Sequence, residues 1–241
     1  MSLGAKDPPR RTSAYASTIL GLTSLAGYWR LGDASGTTAV DAKGTQNGTY
    51  TEDAGATAPE LAQPGLVTGD AGTSVFFPRT SPNLASYVDI SIVAGLETLN
   101  GTIEAWLKVN GNPASLASLP ILYGSDYYFL FLDSSGVLTA NDPTLGIDHS
   151  SGVSVYDNAR HHVAYTFQSG VASGSQLYVD GVAKGSAFLY TLLGYDGHIN
   201  LGGIASAGGL CLNGYLQEVS LCNAVLPAST IRQHYLIGKG T

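Results

Sequence analysis

A chain of 241 residues, 44% hydrophobic and holding 31 glycines, is long enough to bury a core, and single β-sandwiches commonly reach this length. Its formal net charge of −7 argues against a nucleic-acid partner, because such binding needs a basic stripe to displace counterions. No apolar run has the length required to cross a membrane.

Only 12% of residues are charged, so the surface must be built largely from Ser, Thr, Asn and Gly. Such a surface suits extracellular exposure, or an assembled particle in which neutral contacts join subunits. Residues 1–12 form a Pro-rich arm without periodicity and without the apolar stretch of a secretory leader. Within it Lys6, Pro8, Pro9, Arg10 and Arg11 read as a contact for an acidic partner, the alternative being a solvated tail. Prolines lower the entropy lost on ordering, and arginines offer bidentate contacts to carboxylates. Thr12 or Ser13 is placed to cap a short helix over Tyr15 to Leu20, which Gly21 stops. The expected division is an anchoring arm and helix over 1–25 and a β domain over 26–241.

Tyr28 and Trp29 open that domain, followed by a turn at 32–36, a β-prone run over 37–40 and a Gly/Asn turn at 44–48. Trp29 is expected near a sheet edge and Trp106 in a central strand. Around Trp106, Ile103, Ala105, Leu107 and Val109 face one way, and Thr102, Glu104, Trp106 and Lys108 the other. Tyr123, Tyr127, Tyr128, Phe129 and Phe131 alternate regularly and read as core. Residues 110–120 and 140–158 read as long loops. Asp180-Gly181 is a two-residue hairpin turn, and a short helix over 226–235 begins near Pro227. Cys211 and Cys222 flank a strand whose ends lie too far apart for a disulfide, so two free buried thiols are expected.

Several segments carry a resemblance: Gly27 to Tyr50; Gly101-Thr-Ile-Glu-Ala-Trp-Leu-Lys108; Arg160-His-His-Val-Ala-Tyr-Thr-Phe167; Gln176-Leu-Tyr-Val-Asp-Gly-Val182; Ile199-Asn-Leu-Gly-Gly203; and Asn213-Gly-Tyr-Leu-Gln-Glu-Val219. In this order the set resembles laminin-G-like jelly rolls of the concanavalin-A-like lectin/glucanase superfamily, of the kind found in phage virion proteins. The resemblance implies an all-β, antiparallel two-sheet sandwich with short helices near both ends. It also implies a possible calcium ion held by Asp33, Asp41 and Gln217, although the two aspartates could equally cap turns through their own backbone.

Glycoside hydrolysis needs two carboxylates across the scissile bond. Here each candidate strand holds a single acid, Glu104 or Glu218, and Glu104 reads as a hydrogen-bonded or solvent-facing strand residue. The expectation is a non-enzyme. His161 and His162 point to opposite faces of a strand and cannot chelate one ion together. Tyr156, Tyr190 and Tyr195 lie in or near loops and are the aromatic candidates for stacking on sugars. The leading functional expectation is a virion structural protein, a capsid-decoration, head-fibre or tail-associated subunit, assembled in the host cytoplasm with copies of itself and other particle proteins. The alternatives are a carbohydrate-binding or adhesion module, which would be extracellular and meet cell-surface glycans, and a disfavoured glycoside hydrolase or lyase.

Overall fold

Period-two alternation along most segments, broken by glycine and asparagine turns, produces strands that bury one face each. The structure is a computed structural model, and it describes residues 13–44, 46–79, 84–91, 100–109, 118–124, 128–142, 144–191, 199–204 and 210–241. In chain order the elements begin with α1 (Ala14–Leu20), β1 (Leu25–Trp29), β2 (Thr38–Ala39), β3 (Gly48–Glu52), β4 (Glu60–Gln63) and β5 (Ser74–Phe77). The middle comprises β6 (Ser86–Ile90), β7 (Asn100–Val109), β8 (Ser118–Gly124), β9 (Tyr128–Asp133), β10 (Val137–Asp142) and β11 (Ile147–Ser154). The last elements are β12 (Arg160–Gln168), β13 (Ser175–Val179), β14 (Val182–Phe188), β15 (Ile199–Leu201), β16 (Gly214–Cys222) and α2 (Ala228–Lys239).

Two antiparallel sheets face each other. One runs β14-β13-β12-β7-β16-β5-β4, with β1 beside β16; the other runs β11-β10-β9-β8-β15-β6-β3-β2. Between them lie Trp29, Phe77, Ile103, Leu107, Leu122, Leu130, Tyr165, Phe167 and Leu216, all fully or almost fully buried. Burial of each large apolar side chain contributes on the order of 1.5–3 kcal/mol.

The outer face of β7 is covered as well. Tyr15 and Ile19 of α1 and Ile231 of α2 pack over Trp106, Tyr28 and Tyr178 in a second apolar layer. Trp106 meets Tyr15 edge-on at 6.2 Å and stacks with Tyr235 at 6.0 Å. Gly238 permits this closeness, since a Cβ there would stand 2.4 Å from the Trp106 ring. Ser13 caps α1 by accepting from the Ala16 amide at 3.1 Å, and Gly21 ends it.

The Asp180-Gly181 turn has φ of 52° and 71°, the doubly left-handed geometry of a tight hairpin, and joins β13 to β14. Trp29 lies in β1, which pairs with β16 and carries an isolated bridge from Trp29 to Asp41, and Trp106 lies in central β7. Two expectations change. Much of segment 140–158 is not loop: β10 and β11 pair as a hairpin from Val137↔Ser154 to Asp142↔Ile147. Because β11 is a largely exposed edge strand, it lacks the apolar alternation that marks half-buried strands. Of the alternating aromatics, Phe131 is buried but Tyr123 only half-buried, and neither joins Leu130 and Leu132 in the inter-sheet cluster; Tyr127 and the side chains of Tyr128 and Phe129 lie outside the described residues. Cys211 and Cys222 are free and buried; burial first, then the charge of Glu104, pushes the Cys222 thiol up to about 12.

Candidate functional site

Past Trp106 the outer face of the first sheet opens. Antiparallel register sets Lys108 of β7 opposite Arg160 of β12 on one side and opposite Tyr215 of β16 on the other. Tyr215 is in turn opposite Phe76 of β5. Four strands thus present one outward row, with Arg160 exposed and Lys108, Tyr215 and Phe76 half-buried. Tyr215 and Phe76 contact at 4.9 Å between ring centroids, and the Lys108 ammonium lies 5.7 Å from the Tyr215 centroid. The Arg160 guanidinium is tethered by Nη1, which donates to the Leu66 carbonyl at 3.0 Å.

Two hollows run along this row. One, of about 230 Å³, is lined by Leu66, Lys108, Asn158, Arg160 and Tyr215 among others; the next, of about 290 Å³, by Phe76, Lys108, Asn158, Asn213 and Tyr215. Shared walls make them a single open cleft. Asn158 and Asn213 carry left-handed φ of 61° and 49°, which asparagine tolerates better than most residues. Aromatic faces, amides and fixed cations together are the means by which a protein holds a polar ring.

The adjoining buried layer has a different chemistry. Glu104, fully enclosed, accepts from His234 Nδ1 at 3.0 and 3.1 Å, fastening α2 to β7. His162 Nε2 lies 3.1 Å from the same carboxylate. Burial pushes the Glu104 carboxyl up, but the two imidazoles overcome it and hold the group down at about 2. Glu218 is also enclosed, at a bulge in β16 where its own φ is 57°. Tyr28 donates its hydroxyl to Glu218, and Arg30 donates from Nη2 at 2.8 Å and from Nε at 3.0 Å while also reaching Asp70 at 2.5 Å. Both strand carboxylates are therefore occupied inside the protein.

The residues expected from sequence are dispersed. Asp41 caps the turn after β2, its carboxylate accepting from the amides of Tyr28 and Lys43 at 2.9 Å and of Gln46 at 3.0 Å. Asp33 accepts from the Tyr50 hydroxyl at 2.8 Å and lines a separate hollow of about 200 Å³ beside Arg30. Gln217 is buried and accepts from the Leu66 amide at 2.5 Å. Their oxygens face N–H and O–H donors, and among the described residues no cluster of three or more His, Cys, Asp or Glu is arranged for a metal. Tyr156 is half-buried, its hydroxyl donating to the Asp133 carbonyl at 3.2 Å. Tyr190 is fully buried against Tyr165 at 5.8 Å in the inter-sheet core, so it offers no face to a sugar. Tyr195 and the arm residues Lys6, Pro8, Pro9, Arg10 and Arg11 lie outside the described residues. His161 bonds Asp180 and Asp157 at the surface while His162 is buried, so the two histidines point apart. Sequence reasoning missed Phe76, Lys108, Arg160 and Tyr215, although the outward phase of Lys108 was readable from the alternation of its strand.

A family model for laminin-G-type domains, described as the concanavalin A-like lectin/glucanases superfamily, matches residues 82–232, more than half of the chain. The chain belongs to this superfamily. No curated protein matches it in sequence. Among solved structures, the laminin-G-type sandwich is similar to the Trypanosoma rangeli sialidase in complex with sialic acid, at 14% identity and a TM-score of 0.64, covering 91% of this chain and 33% of that one. It is also similar to domain 4 of an extracellular GH43 arabinanase from Geobacillus stearothermophilus in complex with arabinotriose, at 16% identity and a TM-score of 0.61, covering 88% of this chain and 98% of that one. The binding domain of botulinum neurotoxin DC in complex with SialylT matches at 10% identity and a TM-score of 0.61, covering 88% of this chain and 50% of that one. The chain thus spans about a third of the sialidase. At these identities the likenesses establish a shared lectin-like fold.

Proposed function

We propose that this protein is a non-catalytic, glycan-binding sandwich carried on a virus particle. The observation that carries the binding reading is the open row of Phe76, Tyr215, Lys108 and Arg160, with Asn158 and Asn213 at its rim. Aromatic faces stack on the apolar side of a sugar ring while amides and cations meet its oxygens. The complexes of the arabinanase domain and of the neurotoxin domain with saccharide ligands support this choice. The non-catalytic reading is supported by Glu104 and Glu218, each occupied by buried partners rather than poised across a cleft.

Glycan-array screening of the purified protein, followed by calorimetry, tests the binding reading. Tyr215→Ala should weaken the best ligand roughly tenfold, the effect of losing an aromatic contact and its buried area. An array without a single bound glycan would sink it.

The particle setting rests on the resemblance of Tyr15-Ala-Ser-Thr-Ile-Leu and Tyr28-Trp-Arg-Leu-Gly-Asp to segments of phage particle proteins, and on the low charge of the chain. Residues 1–12 act as its anchor there, since α1 packs its own Tyr15 and Ile19 onto the sandwich. Deleting residues 1–12 should leave the melting temperature nearly unchanged and abolish incorporation, as measured by mass spectrometry of purified particles. Normal incorporation of the truncated chain would remove the anchor from the account.

A further inference from the structure

We infer that the ligand of this cleft is an anionic saccharide, its acidic group held between Lys108 and Arg160 while its ring lies on Tyr215; this rests on the glycan-binding reading above. The register sets the two cations directly opposite each other on neighbouring strands. Like charges so placed cost stability. Among the described residues no carboxylate forms an ion pair with either, although the chain has 18 acidic residues against 11 basic ones.

Among the described residues no aspartate or glutamate lines either hollow. Asp157, next to Asn158 in sequence, is bonded to His161 at 3.0 Å, and Glu60 stands at the far end of the row, opposite Phe76. An acidic protein has thus kept an uncompensated positive pair at the mouth of an aromatic cleft. Arg160, tethered through one Nη1 hydrogen to Leu66, is pre-positioned, and its remaining donors suit a two-oxygen anion.

Adjacent strands are about 4.8 Å apart, so the row from Arg160 to Phe76 spans roughly 14 Å, which seats an acidic ring with its neighbour in the chain. A duplex nucleic acid does not fit, because the net charge of −7 repels a polyanion beyond these two cations. A carboxylate on a uronic-type sugar and a sulfate ester present the same chemistry to this pair. The experiment separates them.

Affinities of the full-length protein are measured by calorimetry for a uronate-containing oligosaccharide, its carboxyl-reduced counterpart, a sulfated oligosaccharide and its desulfated counterpart. At least one acidic member should bind about ten- to a hundredfold more tightly than its neutral match, and the preference should shrink with added salt. Lys108→Met and, separately, Arg160→Gln should bring that ratio to within about twofold, with circular dichroism confirming the fold. Preference confined to the uronate or to the sulfated ligand assigns the acidic group. Equal affinity for acidic and neutral members overturns the anionic inference and leaves the glycan reading standing. Binding to none of the four, with a blank array, overturns both.

Discussion

Replacing Glu104 by glutamine should lower the melting temperature at neutral pH by roughly 5–15 °C, the consequence of about 2–4 kcal/mol lost from a domain of this size. Glu104 is enclosed between His162 and His234, and His234 belongs to α2. Removing the carboxylate charge leaves two buried imidazoles facing a neutral amide, shielded from solvent. The same variant should change the acid limb. An unfolded glutamate protonates near its ordinary value of 4.5, whereas in the fold Glu104 protonates only at about 2. Its depressed value means that its contribution is complete above 4.5 and is lost as pH falls toward 2. Integrated over that interval the contribution is on the order of 3 kcal/mol. Thermal melts of both proteins from pH 7 to pH 2 should therefore converge at the acid end. Parallel curves that never converge would show that Glu104 acts through shape rather than charge. Hydrogen exchange should report α2 as the first element released, since the bonds to His234 are its polar tie to β7.

The architecture was legible because its signals are local. Alternation around Trp106 assigned Ile103, Ala105 and Leu107 to one face, and the Asp180-Gly181 pair marks a hairpin wherever it joins two apolar runs. The order of the laminin-G-like segments supplied the rest of the sandwich. What stayed hidden depends on pairing between distant strands. Phe76, Lys108, Arg160 and Tyr215 sit far apart in the chain, and they form a row only because β7 lies between β12 and β16 and β16 in turn meets β5. No periodicity in any one strand encodes that neighbourhood.

Burial misled the reading at Tyr190 for a related reason. Its segment leaves β14 and looks like a loop, yet a bridge from Ser169 to Tyr190 turns the ring into the core beside Tyr165 and Phe167. For Glu104 the sequence left open a hydrogen-bonded or a solvent-facing carboxylate, and the packing of α2 makes it the former. The sequence predicted that helix, but not the face on which it lands.

Arg30→Met should be the complementary case, with a pH response of opposite sign. The Glu218 side chain is fully enclosed, and the Arg30 guanidinium is its compensating charge, shared with Asp70. Burial already pushes the Glu218 carboxyl above the ordinary carboxylate range, against the pull of Arg30 and Tyr28. Without the guanidinium it should rise further, because among the described residues Arg30 is the cation that offsets its desolvation. A folded-state value above the unfolded one makes protonation favour the fold, so stability is lost as pH rises through the folded value and regained as pH falls. At pH 7 the variant should lose about 3–5 kcal/mol, the range found when one partner of a buried pair is removed. Much of that deficit relative to the unmodified protein should disappear on lowering the pH to 5, still above the range where Glu104 begins to lose its contribution. The double variant Arg30→Met with Glu218→Gln should recover part of that stability at pH 7 without lowering the pH, since Glu218 then carries no buried charge and the loss of the Asp70 pair remains. Melting curves of the three proteins at both pH values decide it. A deficit that is the same at pH 7 and pH 5, and that Glu218→Gln does not relieve, would mean that Arg30 stabilises the bulge by packing and by its bond to Asp70, not by neutralising Glu218.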